Sequence, residues 1–274
     1  MGSRGIETGQ ETIMGWIEVL GNDLYVTEAG SGPPLVFLHG MSSCGEAWWQ
    51  QFDDFSARYR VIAYDSVNHG HSSNSPRGEP ETDRTDELEG VLAALEVESP
   101  ILAGNSMGGA TILRWAARHP GGAKALIVSG MGIREAGAPV REIRPIDNET
   151  LFLPTGDSLT DKLRSERPRM FERYLRIRST ATRLEFLRHP RERSPLTVTE
   201  TESLAARVPS VTSPMLVIVG ALDALQTAAQ RLHTLVPQSE CVVVPGSPHN
   251  VYYETAAEWN EAVDGFLSRR ADVG

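Results

Sequence analysis

The chain predicts an α/β protein: a mostly parallel, twisted sheet flanked by helices on both faces, with a helical segment inserted into it. Three observations predict this. Short continuous apolar runs alternate with amphipathic stretches, as strands buried on both faces and the helices that cover them do. That rhythm stops between residues 133 and 208 and resumes at Met215. At the middle of the first half, Ile101-Leu102-Ala103-Gly104-Asn105 runs into Ser106-Met107-Gly108-Gly109, which reads as a buried strand, a very tight turn and a helix start.

Taken in order, residues 1–14 are polar and are expected to form a disordered segment without the apolar stretch of a signal peptide. Residues 16–20 and 24–28 alternate around Gly21-Asn22-Asp23, a β-hairpin pattern. Leu35-Val36-Phe37-Leu38 is a strand buried on both faces, ending in His39-Gly40-Met41, with a helix expected over 46–58. Residues 60–64 form another short buried strand, which stops at a polar turn, Asp65-Ser66-Val67-Asn68-His69-Gly70-His71-Ser72. Leu88, Val91, Leu92 and Leu95 give residues 82–95 a helical period. After the central strand and helix come a strand at 125–129, then strand 215–219, helix 224–235, strand 241–244 and helix 254–269. The core is therefore expected over 15–132 and 209–270, and a helical lid over 133–208.

Charge narrows the class. A net charge of −10 argues against nucleic acid as a partner, since such proteins carry a basic face. No apolar run is long enough to span a membrane, and Cys44 and Cys241 lack metal-type spacing, so a cytoplasmic setting with reduced thiols is expected. The segment 133–208 runs against the overall charge, with 15 Lys and Arg to 12 Asp and Glu. Most of those arginines are expected in weak surface pairs, leaving open that one or two turn inward toward a substrate carboxylate.

Gly104-Asn105-Ser106-Met107-Gly108 fits G-x-S-x-G, which lifts a serine hydroxyl to the apex of a strand-to-helix turn beside the Met107 N–H. The alternative is a serine that merely caps the helix. A serine hydroxyl is a poor nucleophile and needs a histidine base, which in turn needs a carboxylate to fix its tautomer. In a doubly wound sheet these groups follow the carboxyl ends of strands. Two residues downstream do so: Asp223 after Met215-Leu216-Val217-Ile218-Val219, and His249 after Cys241-Val242-Val243-Val244. Ser106, Asp223 and His249 are the candidate catalytic residues, with Glu135 the next acid should Asp223 only cap a helix. The backbone N–H groups of Met41 and Met107 are the candidate oxyanion hole, and His39 is expected to be structural.

These residues together resemble the α/β-hydrolase fold superfamily, in its serine-nucleophile branch. The carrying residues are Leu38-His39-Gly40, the Asp65–Ser72 turn, Gly104–Gly109, Gly220-Ala221-Leu222-Asp223, and His249 with Glu254. Asn68 and Pro248 stand where that family usually has glycine. The resemblance implies a hydrolase acting on a small-molecule substrate without a cofactor or metal, with its lid inserted before the acid-bearing strand. The nucleophile turn is similar to that of C–C hydrolases of meta-ring-fission products. Those enzymes usually carry glycines after the first histidine, where this chain has Met41-Ser42-Ser43, and a tryptophan where it has Asn250.

The expected activity is hydrolysis of a small carboxylic ester or lactone. The alternatives are C–C hydrolysis of a dienone acid and a slow-turnover ligand receptor. Phe171, Tyr174, Leu175 and Ile177 fall at helical spacing. Phe171 and Tyr174, with Trp48, are the candidate substrate contacts, although such spacing serves equally to pack a helix on a core. Arg173, Arg176 and Arg178 are expected mostly outside.

Overall fold

The computed structural model describes residues 12–75, 82–135, 158–181 and 198–270. Eight strands form one sheet in the order β1-β2-β4-β3-β5-β6-β7-β8: β1 Ile13–Val19, β2 Asn22–Ala29, β3 Pro34–Leu38, β4 Arg60–Tyr64, β5 Ile101–Asn105, β6 Ala125–Ser129, β7 Met215–Gly220 and β8 Glu240–Val244. The β1–β2 and β2–β4 pairs are antiparallel and every other pair is parallel. The strand order reverses between β3 and β5, which opens a crevice at their carboxyl ends, where sheets of this kind bind ligands.

The apolar runs divide by alternation. Leu35, Phe37, Ile101 and Ala103 face one core cluster, and Val36, Leu38 and Leu102 face the other. Helices α1 (Trp49–Phe55) and, at the end of the chain, Ala256–Ser268 cover the first face through Phe55, Trp259 and Phe266. Helices α2 (Arg84–Ala94) and α3 (Met107–Arg118) cover the second through Leu88, Val91, Ile112 and Leu113.

The hairpin turn is tighter than expected. Asn22 and Asp23 belong to β2, paired with Val19 and Glu18, and Leu20-Gly21 turn with φ 51° and 75°. Two positive φ values give the turn whose twist matches that of the strands. The helix expected over 46–58 is a 3-10 turn, Gly45–Trp48, followed by α1. The strand β1 begins at Ile13, inside the stretch expected to be disordered, of which residues 1–11 lie outside the described residues.

Of the inserted stretch, residues 136–157 and 182–197 lie outside the described residues. The rest forms α4 (Asp161–Glu166), α5 (Pro168–Ala181) and α6 (Val198–Arg207), with no strand among the described residues. Leu163, Tyr174, Ile177 and Ala181 join the first core cluster, while Leu204 and Val208 join the second. After β7 comes α7 (Gln226–Leu235), and after β8 come α8 (Val251–Glu254) and α9 (Ala256–Ser268). The expected terminal helix is thus broken at Thr255, whose backbone leaves helical geometry (φ −118°, ψ 52°) and whose Oγ1 lies 2.7 Å from Ser247 Oγ. Among the described residues, no helix is long and apolar enough to cross a membrane.

Candidate active site

Ser106 sits at the end of the central strand with φ 54° and ψ −110°, a conformation that a non-glycine residue occupies only under strain. The glycines around it are required by contact. A Cβ on Gly104 would lie 2.6 Å from the Gly108 carbonyl carbon, and one on Gly108 would lie 2.2 Å from the Leu38 oxygen. Within residues 101–110 only Ser106 keeps partial exposure. Its side chain makes no capping bond to α3, which answers the alternative that this serine is a helix cap. Its backbone N–H donates to Ser129 O at 2.9 Å, tying the turn to β6.

Asp223 and His249 come together from the loops after β7 and β8. The His249 Nδ1–H donates to Asp223 Oδ2 at 2.9 Å, and Asp223 Oδ1 accepts from the Leu225 N–H at 2.9 Å. The carboxylate side chain is 1% exposed and the imidazole 17%. A buried carboxylate on Nδ1 leaves Nε2 as the basic nitrogen of a neutral ring. Glu135, the other acid considered, is exposed.

The loop after β3 passes close to Ser106, since a Cβ on Gly40 would lie 3.5 Å from Ser106 Cβ. Met41 follows it, with Ser42 in the left-handed region at φ 58°. His39 is structural in its bonding: Nδ1–H donates to Gly40 O at 2.8 Å and Nε2 accepts from the Ser66 N–H at 3.0 Å. The second bond needs the neutral ring, because a protonated Nε2 cannot accept. Burial pushes its pKa down to about 4, with Asp65 partly offsetting that. His69, also buried and 5.0 Å from His39 between ring centroids, is held well below its ordinary value by burial. Asp65 shapes the same corner by accepting from the Gly45 N–H at 2.7 Å and the His71 N–H at 2.9 Å.

The expected substrate contacts separate. Trp48 is a core residue, fully buried and stacked on Phe37 with ring centroids 4.8 Å apart. Tyr174 is buried and its Oη accepts from Asn250 Nδ2 at 2.9 Å. Phe171 is half-buried beneath the Arg164 guanidinium, 5.7 Å from its ring centroid. Arg173 and Arg176 lie outward on Glu46, at 3.4 and 2.8 Å. Arg178, expected outside, is 4% exposed. It stands one helical turn after Tyr174 and shares that residue's inward face.

Two residues without an expected role lie against the candidate triad. Asn105 Nδ2 donates to Asn250 Oδ1 at 3.0 Å, joining the residue before Ser106 to the residue after His249. Only their chain adjacency to Ser106 and His249 could have pointed to them.

Comparison with known proteins agrees with this fold. The model of the alpha/beta hydrolase family matches residues 35–262. A putative non-heme haloperoxidase of Mycobacterium phage D29 is 41% identical over 96 residues, 35% of this chain and 34% of that one. The 2-(acetamidomethylene)succinate hydrolase of Mesorhizobium japonicum is 28% identical over 259 residues, 89% of this chain and 91% of that one. Among solved structures, Est816, an N-acyl homoserine lactone degrading enzyme, shares the fold with a TM-score of 0.74 at 23% identity, covering 92% of this chain and 100% of that one.

Proposed function

The chain belongs to the alpha/beta hydrolase family, and from that premise we propose that it is a serine hydrolase that cleaves a small carboxylic ester or lactone through an acyl-enzyme. Ser106 Oγ attacks the carbonyl carbon while His249 Nε2 takes its proton. The amides of Met41 and Met107 receive the oxyanion, and the proton then passes to the leaving oxygen. Water repeats the sequence on the acyl-enzyme and frees Ser106. Asp223 holds His249 in the right tautomer and stabilises its charged form. The described part of 133–208 serves as a lid over the site.

The observation that carries this reading is Ser106 itself: strained, partly exposed and uncapped, on the sheet edge that also carries the buried Asp223–His249 pair. Similarity to an enzyme that degrades an N-acyl homoserine lactone supports lactones as test substrates. A second reading, C–C hydrolysis of a dienone-type acid, is favoured by similarity to the 2-hydroxymuconate semialdehyde hydrolase of Pseudomonas, 34% identical over 128 residues, 45% of this chain and 44% of that one.

A panel of p-nitrophenyl esters, lactones and a dienone acid, run beside Ser106→Ala, tests both. Sustained turnover of esters or lactones, abolished in the variant, is expected, with a fluorophosphonate labelling Ser106 alone. Full activity in Ser106→Ala or labelling elsewhere would overturn the assignment. One acyl-enzyme burst followed by stalling would make the protein a receptor on this fold.

A further inference from the structure

We propose that Asn250 is a positioning residue that ties the catalytic histidine to the nucleophile turn and to the lid together, so that His249 is in register with Ser106 only when the lid is seated. The proposal rests on the hydrolase reading above. Its starting point is distance along the sheet. Ser106 follows β5 and His249 follows β8, with β6 and β7 between them. Three strand spacings are about 14 Å, so the loop after β8 must reach back across two strand ends to bring its imidazole to the serine.

Asp223 holds the ring from the β7 side. On the side of the serine, the measured link is the bond from Asn105 Nδ2 to Asn250 Oδ1. Gly130, after β6, leaves room for this crossing at φ 54°. A Cβ there would lie 2.9 Å from Asn105 Oδ1 and 3.1 Å from His249 Cε1.

The other polar groups of Asn250 serve the lid and the helix that seats it. Its backbone N–H donates to Ser158 O at 3.2 Å and its Nδ2 donates to Tyr174 Oη at 2.9 Å. Its carbonyl accepts from the N–H groups of Tyr253 and Glu254, both at 3.0 Å, which starts α8. The next residues continue the seat. The Glu254 carboxylate accepts from the Thr160 N–H at 2.8 Å and from the Thr160 hydroxyl, Arg167 Nη2 donates to Glu254 O, and the Tyr253 hydroxyl donates to Met170 O at 2.9 Å. Three of the five residues after the catalytic base, Asn250, Tyr253 and Glu254, thus bond to the lid. The side chain of the first of them is shared between the lid and the nucleophile turn.

The test uses p-nitrophenyl butyrate and a fluorophosphonate on the full chain. Asn250→Ala removes both side-chain bonds and leaves the backbone bonds in place. Its kcat is expected to fall about 10- to 100-fold, the cost of a base displaced by roughly 1 Å, with KM and melting temperature little changed. Labelling of Ser106 slows in the same ratio and still runs to completion. Tyr174→Phe keeps the ring packing and lowers kcat less. Because the two residues act through one link, the double variant is no slower than Asn250→Ala. Asn250→Asp preserves both bonds, the phenol now donating, and retains more kcat than the alanine variant.

Wild-type kcat in Asn250→Ala, multiplicative effects in the double variant, or a change confined to KM would overturn the proposal. If the alanine variant does not fold, Asn250→Asp and Tyr174→Phe decide alone: wild-type kcat in Tyr174→Phe overturns it. A wild-type protein that neither labels nor turns over fails the hydrolase reading itself, and that result is separate from a labelled wild type with an indifferent Asn250.

Discussion

Ser106, Asp223 and His249 stand within a few residues of parallel strand ends, whereas α4 and α5 are held by polar side-chain bonds together with apolar packing. In the core, backbone decides position. Gly108 meets Leu38 O, the Ser106 N–H meets Ser129 O, and each loop begins where a ladder ends. In the lid, α4 and α5 are anchored by Glu254, Asn250 and Glu46 through bonds to Thr160, Tyr174, Arg173 and Arg176. Core geometry is over-determined, so removing a catalytic group should cost chemistry and little else. The inserted helices meet the site through individual side chains, so substitutions there should alter rate at Tyr174 and substrate choice at Phe171.

The sharpest break in that comparison is at the base. His249→Ala is expected to lower kcat by several orders of magnitude. Asp223→Asn should lower it by about 10⁴-fold or less, since an amide on Nδ1 favours the wrong tautomer. Both should keep melting temperatures near wild type, as single polar groups at a crevice. Near-silent kinetics in Asp223→Asn would remove it as the acid despite its 2.9 Å bond to His249.

The same division governs what the sequence disclosed. Residues 61–64 and 125–128 are continuous apolar runs, and β4 and β6 contain them because such runs suit strands buried on both faces of a sheet. Asp223 and His249 could be found because a parallel sheet delivers loops to one edge in a fixed chain order. The lid offered no such rule. Arg178 was expected outside on charge, yet it follows Tyr174 by one turn and goes where that face goes. Trp48 shows the limit of reading an aromatic as a contact, since its ring completes a stack with Phe37. The Asn105–Asn250 bond joins residues 145 apart, and nothing local to either announces the other. The break at Thr255, where the hydroxyl meets Ser247, is likewise not announced by the apolar spacing of the terminal helix.

Acid should loosen the core loop through its buried histidines. His39 must be neutral to accept from Ser66, and its pKa of about 4 lies below the ordinary 6.5. The unfolded chain therefore takes up this proton first as pH falls. The stabilisation is complete above about pH 6.5, declines through the window down to about 4, and is gone below it. His69 acts in the same direction. Thermal melts from pH 7 to 4 should show a falling melting temperature, with a shallower fall in His39→Gln. Parallel slopes in the two proteins would mean that other groups carry the acid sensitivity.

The smallest effect, and the finest test of the division, is expected at Phe171. Its ring is half-buried on α5 and covered on one side by Arg164, three residues before Tyr174, whose hydroxyl is committed to Asn250. If the exposed part of that ring forms part of the roof over the site, Phe171→Ala enlarges the space offered to the acyl or leaving group. KM should then rise about tenfold for the preferred ester and the substrate ranking should reorder, since a few methylenes in an apolar pocket discriminate by that much. The fluorophosphonate, which needs only Ser106 and its base, should label at the wild-type rate. If the ring instead only packs α5 onto the first core cluster, the variant loses melting temperature, and its ranking across the ester panel is that of the wild type. Measuring melting temperature and substrate ranking on the same preparation separates a lid that selects substrates from a lid that merely shelters the chemistry.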